Sequence, residues 1–234
     1  MIYPFDTTYA TPAAAGEARM VETRFLTGDG ESLIVWRAAA QSGKPTLMYF
    51  PGNAGGLKDR ADRFAKLLDR GYGITAMAYR GSSGSTGRPE ELLLTEDAEA
   101  LAASETGRPL ILYGESLGTA VAVKLAAEGF GDAIVLEAPF TSISDLVKSQ
   151  YPDETIDHLI TQRWDSLSDI PHVRQPMMII HGAKDRIVPI RMGRRILEFA
   201  GSDEKSIVEI ADRGHRSIWT AEARRALFQF IDSR

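Results

Sequence analysis

The pentapeptide Gly114-Glu115-Ser116-Leu117-Gly118 carries the clearest signal for chemistry in this sequence. A continuous apolar run at 110–113 comes before it, and an alanine-rich stretch with helical spacing follows at once. A serine on a sharp turn between a strand and a helix has its hydroxyl held above the strand end, and flanking glycines avoid clashes with the neighbouring backbone. An ordinary turn would also fit the spacing, but the strand before it and the small-residue helix after it favour a nucleophilic Ser116.

A nucleophilic serine needs a base within hydrogen-bonding reach, and the chain offers four histidines. His215 follows the last predicted strand, and a glycine before it gives the loop freedom to turn. Since parallel strands end at the same edge of a sheet, this loop is expected beside Ser116, and we predict His215 as the base. His181 closes the preceding strand, where packing is more typical than catalysis. His158 and His172 fall in an irregular region that favours solvated side chains.

The acid that orients the base is expected in a loop at the same edge of the sheet. Asp185 lies after the penultimate strand, in the loop 181–189. A structural aspartate in a turn or at a helix start would fit this position equally well, and Glu137 and Asp145, after the preceding strand, are competing acids. The shared edge favours Asp185, which gives a predicted triad of Ser116, Asp185 and His215.

An acyl-transfer site also needs hydrogen-bond donors for the developing oxyanion. One predicted donor is the backbone N–H of Leu117, at the positive end of its helix. The second is predicted in the glycine-rich loop after the third strand, with Asn53 as the donor. A glycine-rich loop before a helix can also bind phosphate, but this one lacks the Gly-Lys-Ser/Thr ending of such loops.

The elements around these residues alternate between strand and helix. Strands are predicted at 20–27, 32–38, 45–50, 73–79, 109–113, 133–137, 177–180 and 206–211, and helices at 57–70, 90–105, 117–128, 190–200 and 221–232. The first two strands alternate around a turn, which indicates an antiparallel hairpin, whereas the later strands lack polar alternation and take turns with helices, which indicates a parallel sheet covered on both faces. We expect one α/β domain over 1–234, with an arm at 1–16 and a short cap-like insertion at 140–176.

Composition excludes several classes of function. Hydrophobic and charged residues make up 44% and 25% of the chain, as in soluble globular proteins, and a net charge of −5 is unfavourable for binding nucleic acid. The chain contains no cysteine, which excludes disulfides and thiolate metal sites. No apolar run approaches the ~20 residues of a membrane span, and the first residues do not resemble a signal peptide, so a cytoplasmic location is expected.

Five motifs together resemble the α/β-hydrolase superfamily, and within it the Bem46-like serine hydrolases. They are the segments 51–55 (PGNAG), 79–87 (YRGSSGSTG), 114–118 (GESLG) and 137–142 (EAPFTS), and the pair Asp185 and His215. The resemblance covers the chain after the arm. It implies an α/β-hydrolase fold, with an eight-stranded, mostly parallel sheet, and the triad in the chain order Ser116, Asp185, His215. Two positions depart from the family, because Pro51-Gly52 replaces His-Gly and Arg216 stands where a small or amide residue is common.

The predicted activity is hydrolysis of a small-molecule carboxylic ester through an acyl-enzyme intermediate, with no metal or cofactor. Phe140, Tyr151, Trp164 and Trp219 are candidates for an acyl pocket, although their side chains would fit the core equally well. A thioesterase or peptidase would use the same triad, and a catalytically silent protein that binds ligands on this fold is the alternative outside the enzymes. The sequence leaves the natural ester and the oligomeric state open.

Overall fold

Eight strands form one sheet in the computed structural model, which describes residues 2–106, 109–151 and 160–234. They are β1 (Val21–Leu26), β2 (Ser32–Ala38), β3 (Thr46–Phe50), β4 (Gly73–Met77), β5 (Leu110–Glu115), β6 (Ala133–Glu137), β7 (Met177–Gly182) and β8 (Lys205–Ile210). Their order in the sheet is β1-β2-β4-β3-β5-β6-β7-β8. β2 is antiparallel to β1 and β4, and all other neighbours are parallel, so the predicted mostly parallel sheet with a hairpin at one edge is confirmed.

Helices cover both faces of this sheet. They are α1 (Ala61–Leu68), α2 (Glu91–Ser104), α3 (Leu117–Ala127), α4 (Ile143–Gln150), α5 (Ser166–Asp169), α6 (Ile190–Phe199) and α7 (Ala221–Asp232). α1 and α7 contribute Phe64 and Leu227 to one core, whereas α2, α3 and α6 contribute to the other. Consecutive strand residues point to opposite faces, so Tyr49 joins the first core and Phe50 the second.

The central strands are buried on both faces. Every residue of β3, β4, β6 and β7 is buried, which explains why these segments are apolar without alternation. The parallel strands β3, β5, β7 and β8 end at the same edge of the sheet. The loops that leave this edge carry Asn53, Ser116, Asp185 and His215, so the topology itself gathers the predicted site.

Between β6 and β7 the chain departs from the regular alternation, in the region predicted as the insertion at 140–176. It contains α4, α5 and a 3₁₀ turn at Ile170–His172. Residues 152–159 of the insertion, and with them His158, lie outside the described residues. Among the helices described, none combines the length and the apolar composition needed to cross a membrane.

Candidate active site

Ser116 occupies the turn between β5 and α3. Its backbone has a φ of 50° and a ψ of −113°, a conformation that costs a non-glycine residue about 1–3 kcal/mol. A Cβ on Gly118 would lie 2.0 Å from the carbonyl oxygen of Phe50, and one on Gly114 would lie 2.4 Å from the carbonyl oxygen of Gly118. The two glycines therefore let α3 approach the sheet closely enough for Ser116 to sit on this sharp bend.

The three side chains predicted as the triad lie in one hydrogen-bonded chain. His215 Nε2 is 2.9 Å from Ser116 Oγ, and His215 Nδ1 is 2.7 Å from Asp185 Oδ2. The carboxylate is completely buried, and the imidazole is 14% exposed. When Nδ1–H donates to the carboxylate, Nε2 is left to accept a proton from the serine hydroxyl. The arrangement is thus capable of activating Ser116 as a nucleophile.

Asp185 is fixed by its own loop. The backbone N–H groups of Ile187 and Val188 donate to Asp185 Oδ1 at 2.9 and 2.8 Å, so the carboxylate keeps its other oxygen for the imidazole. Behind it, His181 Nε2 donates to the carbonyl oxygen of Val188 at 2.9 Å and lies 3.7 Å from Asp185 Oδ2. Burial lowers the pKa of His181, so its ring stays neutral and its hydrogen bond supports this loop rather than proton transfer.

The imidazole of His215 pairs with Asp185 and with neither competing acid. The carboxylate of Glu137 accepts hydrogen bonds from Arg63 and Tyr113. Asp145 lies in the first turn of α4, where its backbone N–H donates to Ser142 Oγ at 3.0 Å. Across residues 2–106, 109–151 and 160–234, no cluster of three or more histidine, aspartate and glutamate side chains could hold a metal ion.

The loop at 51–56, called the β3 loop below, lies directly beside Ser116. A Cβ on Gly52 would lie 3.3 Å from the Cβ of Ser116. Leu117 is the first residue of α3, where helical N–H groups have no acceptor within the helix. In the described part of the chain, no acceptor pairs with the backbone N–H of Leu117 or of Asn53. The side chain of Asn53 is engaged by the carbonyl oxygen of Ile2 at 3.1 Å, so its backbone N–H is the group that remains for an oxyanion.

An ion pair holds Glu115, the residue before Ser116. Arg60 Nε and Nη2 donate to its two carboxylate oxygens, each at 3.0 Å, and Tyr49 Oη donates to the same carboxylate. Arg60 Nη1 also donates to the carbonyl oxygen of Gly56 at 3.2 Å, so this arginine joins the β3 loop to the serine turn. Burial alone would raise the pKa of Glu115, but the charges of Arg63 and Arg60 outweigh it and lower the pKa to about 2.

A second ion pair lies beside the first. Arg63 Nη1 and Nη2 donate to the Glu137 carboxylate at 2.6 and 3.0 Å, and Tyr113 Oη donates to it as well. Burial raises the pKa of Tyr113, so its hydroxyl keeps the proton that it donates. The carbonyl oxygen of Glu137 accepts the backbone N–H of Ser116 at 2.8 Å, and the Arg63 guanidinium lies 4.2 Å from the ring centre of Trp219. The pair therefore links the serine turn to an aromatic side chain of the cleft.

Sequence reasoning missed both arginines. Arg60 and Arg63 are three residues apart and share a helix face with the buried Phe64 and Leu67, a pattern that indicates inward-facing side chains. Their carboxylate partners lie 55 and 74 residues further along the chain. Helical spacing can show that such arginines face inward, but it cannot show which carboxylates they meet.

A cleft of about 780 Å³ opens at Ser116. Besides Ser116 and His215 of the predicted triad and the two ion pairs, its lining includes the apolar residues Ile2, Pro4, Phe140, Ile143, Leu146, Val147, Ile187, Val188 and Ile218. Of the residues predicted for an acyl pocket, Phe140, Tyr151 and Trp219 line this cleft. Trp164 does not, so its placement in the pocket is corrected: it is fully buried in the core, and its Nε1 donates to Tyr3 Oη at 2.9 Å.

Three relatives illustrate the similarity of this chain to known proteins. An uncharacterized protein of Mycobacterium tuberculosis is 34% identical over 209 residues, which are 86% of this chain and 73% of that protein. Protein bem46 of Schizosaccharomyces pombe is 31% identical over 189 residues, 75% of this chain and 62% of bem46. The lysophosphatidylserine lipase ABHD12 of Danio rerio is 31% identical over 188 residues, 70% of this chain and 49% of the lipase. The matched region thus spans less than two thirds of the length of the two relatives that have names.

No family model matches the chain. Among solved structures, the Pyrococcus furiosus esterase Pf2001 superposes with a TM-score of 0.80 at 16% identity, over 100% of this chain and 97% of the esterase. At that identity the likeness concerns the fold, which by itself does not determine a reaction. The sequence relatives, the sheet topology and the serine turn agree with one another, and the chain belongs to the Bem46-like α/β-hydrolases.

Proposed function

We propose that this protein is a serine hydrolase that cleaves carboxylic esters through an acyl-enzyme intermediate. The observation that carries the proposal is the pair of hydrogen bonds, 2.9 and 2.7 Å long, that connects Ser116 Oγ through His215 to Asp185. Serine catalysis requires this sequence of partners: a nucleophile, a base, and a buried group that orients the base. A lysophosphatidylserine lipase and an esterase among the similar proteins support ester hydrolysis as the reaction class.

In the first half-reaction, Ser116 Oγ attacks the ester carbonyl carbon while its proton moves to His215 Nε2. Asp185 accepts a hydrogen bond from Nδ1–H and stabilises the imidazolium. The backbone N–H groups of Leu117 and Asn53 bind the oxyanion, a contribution worth about 3–4 kcal/mol per donor to the barrier. When the tetrahedral intermediate collapses, the alcohol leaves with the proton from Nε2, and the acyl group remains on Ser116 Oγ.

In the second half-reaction, water attacks the acyl carbon and gives its proton to His215 Nε2. The carboxylic acid leaves as Ser116 Oγ takes that proton back, which restores the starting state. Neither step requires a metal ion or a cofactor. The apolar part of the cleft, formed by side chains such as Phe140, Ile143 and Val147, suits the hydrocarbon of an acyl group.

A fluorophosphonate probe tests the proposal, because it modifies a serine only when the hydroxyl is activated. The wild-type protein should be labelled at Ser116, as located by peptide mass spectrometry, and it should hydrolyse p-nitrophenyl butyrate. Ser116→Ala should lose both properties, whereas Ser42→Ala, at an exposed loop position, should keep them. Absence of labelling in the wild-type protein would reject the hydrolase proposal in favour of a silent binding protein.

The acyl bond is tested by a matched series. An ester, a thioester and an amide that share one acyl group are compared by kcat/KM, and lysophosphatidylserine is included because a named relative acts on it. We expect the ester to have the highest kcat/KM of the three substrates. A thioester or amide preferred by more than about tenfold, a difference of 1.4 kcal/mol in transition-state binding, would replace esterase by thioesterase or peptidase.

A further inference from the structure

The start of the chain crosses the β3 loop next to the candidate active site. Residues 2–6, called the strap below, have neither helical nor strand structure. At one end, Asn53 Nδ2 donates to the carbonyl oxygen of Ile2 at 3.1 Å. At the other end, the backbone N–H of Ser83 donates to the carbonyl oxygen of Asp6 at 2.8 Å. The backbone of the strap is thus hydrogen-bonded to the β3 loop at one end and to the segment 79–87 at the other.

Side chains add to this attachment. The Phe5 ring stacks on Tyr79 with ring centres 5.4 Å apart, and Tyr79 Oη donates to the carbonyl oxygen of Pro51 at 3.0 Å. The Asp6 carboxylate accepts from Lys58 Nζ at 2.8 Å. The hydrogen bond from Lys58 lowers the pKa of Asp6, so the pair stays charged at neutral pH. Contacts on both flanks of the β3 loop therefore fix the strap.

The strap also reaches residues within the insertion. Tyr3 Oη donates to Gln162 Oε1 at 2.9 Å and accepts from Trp164 Nε1 at the same distance. Tyr3 therefore satisfies the indole of the tryptophan that lies in the core instead of the cleft. Through this residue, the strap connects the β3 loop with the segment that precedes α5.

Successive residues of the strap have different surroundings. Tyr3 and Phe5 make the anchoring contacts, whereas Ile2 and Pro4 line the cleft at Ser116, and Ile2 also packs against the core with Tyr3 and Phe5. This alternation is typical of extended backbone, in which consecutive side chains point to opposite sides. One side of the strap holds it in place, and the other side presents apolar groups to the space where a substrate would lie.

We infer that the strap determines substrate specificity, with Ile2 and Pro4 forming the cleft wall that limits the length of the acyl chain. Its catalytic consequence rests on the proposed esterase function. The wall is apolar and complements a hydrocarbon chain. It is bonded to Asn53, a proposed oxyanion donor, which places it close to the reacting carbonyl. The Ile2 carbonyl oxygen is already paired with Asn53, so the strap offers this cleft its apolar side chains.

Binding of straight-chain carboxylates to Ser116→Ala protein measures this wall without turnover. Hexanoate and dodecanoate are titrated by calorimetry. Ile2→Trp should weaken the binding of dodecanoate, relative to that of hexanoate, by at least about tenfold, because a misfit of one or two methylenes costs this much. Ile2→Ala should change the ratio of the two affinities in the opposite direction. Thr7→Trp is the matched control, since Thr7 is exposed just outside the strap, and it should leave the ratio unchanged.

A corresponding ratio of long to short chain is then measured in catalysis, as kcat/KM for p-nitrophenyl decanoate over p-nitrophenyl acetate, in proteins that keep Ser116. The inference is overturned if both Ile2 variants keep the ratios of the parent while their thermal unfolding midpoints stay close to that of the parent. It is also overturned if neither carboxylate binds. Shifted carboxylate ratios in a protein that the fluorophosphonate probe does not label would support the wall and reject the esterase. The two failures are therefore distinguishable.

Discussion

The backbone of Ser116 is held in a conformation that few non-glycine residues adopt, with a φ of 50°. Its N–H donates to the carbonyl oxygen of Glu137 at 2.8 Å, and its own carbonyl oxygen accepts the N–H of Thr119 at 2.9 Å. Both polar groups of the strained residue are thus paired. These bonds fix the direction of the side chain, so Oγ meets the imidazole of His215 without having to change its rotamer.

If Ser116 and His215 exchange a proton as proposed, loss of either side chain should lower turnover by several orders of magnitude. We expect Ser116→Ala and His215→Ala each to lower kcat by about 10⁴–10⁶-fold, and Asp185→Asn by about 10⁴-fold because the imidazole would lose its orientation. The Ser116→Ala/His215→Ala double variant should be no worse than either single variant, since the residues act as a unit. Kinetics with p-nitrophenyl butyrate, with circular dichroism as the check on folding, measure these effects. A loss under tenfold for any of the three single variants would contradict the mechanism.

Glu115 should contribute to stability in a pH-dependent way. A carboxyl whose pKa is lower in the folded state stabilises the fold above its unfolded pKa, and this stabilisation disappears as the pH falls through the folded pKa. For Glu115 these values are about 4.3 unfolded and about 2 folded. Glu115→Gln should therefore cost about 2–3 kcal/mol of unfolding free energy at pH 7, and the deficit should shrink as the pH falls from about 4.5 towards 2.

Urea unfolding of the wild-type and variant proteins at pH 7, 4 and 3 measures the Glu115 deficit. Glu198→Gln is the control, because this exposed carboxyl on α6 should change stability by less than about 0.5 kcal/mol at every pH. A Glu115→Gln deficit that stays constant from pH 7 to 3 would show that packing of the side chain, and not its charge, stabilises the serine turn.

At the scale of elements, the contact between α3 and β3 depends on Gly118. In a helix interior, alanine normally stabilises the helix by about 1 kcal/mol relative to glycine. Here the added Cβ would lie 2.0 Å from the carbonyl oxygen of Phe50, and a backbone atom cannot rotate away. Gly118→Ala should therefore lower the unfolding free energy by at least about 3 kcal/mol, the upper end of overpacking effects.

Gly28→Ala supplies the comparison for Gly118→Ala, because a Cβ at Gly28 would meet nothing within 4 Å. Urea unfolding should give this variant a stability within about 0.5 kcal/mol of the parent. If Gly118→Ala changed the unfolding free energy as little as Gly28→Ala, α3 must be free to move away from β3. Ser116 labelling by the fluorophosphonate would then show whether the turn keeps its geometry after such a movement.

Regular elements could be predicted from the sequence because the physical signal was local. β3, β6 and β7 are buried at every position and lack polar alternation since both faces of the sheet are covered, and α1 carries the spacing of one buried face. The order of these elements then fixed which loops share an edge. For this reason Ser116, Asp185 and His215 could be proposed together although up to 99 residues separate them.

Other features of the site depend on contacts that no local pattern encodes. Arg60 and Glu115 meet because α1 packs beside the end of β5, and the strap meets Asn53 because an irregular segment follows the surface of the domain. Trp164 illustrates the same limit, since an aromatic residue in an insertion has the same local signal whether it lines a cleft or fills a core. Its partner Tyr3 lies 161 residues away.

At the scale of the whole molecule, Arg80 connects three distant parts of the chain. Its side chain is 4% exposed, and its guanidinium donates to Asp97 on α2 at 2.7 and 2.8 Å and to Asp29 in the turn between β1 and β2 at 2.6 and 2.8 Å. One arginine thus joins the antiparallel edge of the sheet to a helix of the parallel part. The two carboxylates differ in surroundings, because Asp97 is 3% and Asp29 50% exposed.

This difference predicts unequal costs for breaking the two ion pairs. Arg80→Met leaves the Asp97 charge buried without its partner and should lower the unfolding free energy by about 3–5 kcal/mol, whereas Asp29→Asn removes a solvent-exposed charge and should cost much less. Urea unfolding at pH 7 measures both. The double variant Arg80→Met/Asp97→Asn should recover part of the loss, because a neutral amide is less costly to bury than an unpaired carboxylate. Equal losses from Arg80→Met and Asp29→Asn would instead mean that the bond to the hairpin, not the buried charge at α2, makes Arg80 necessary for the fold.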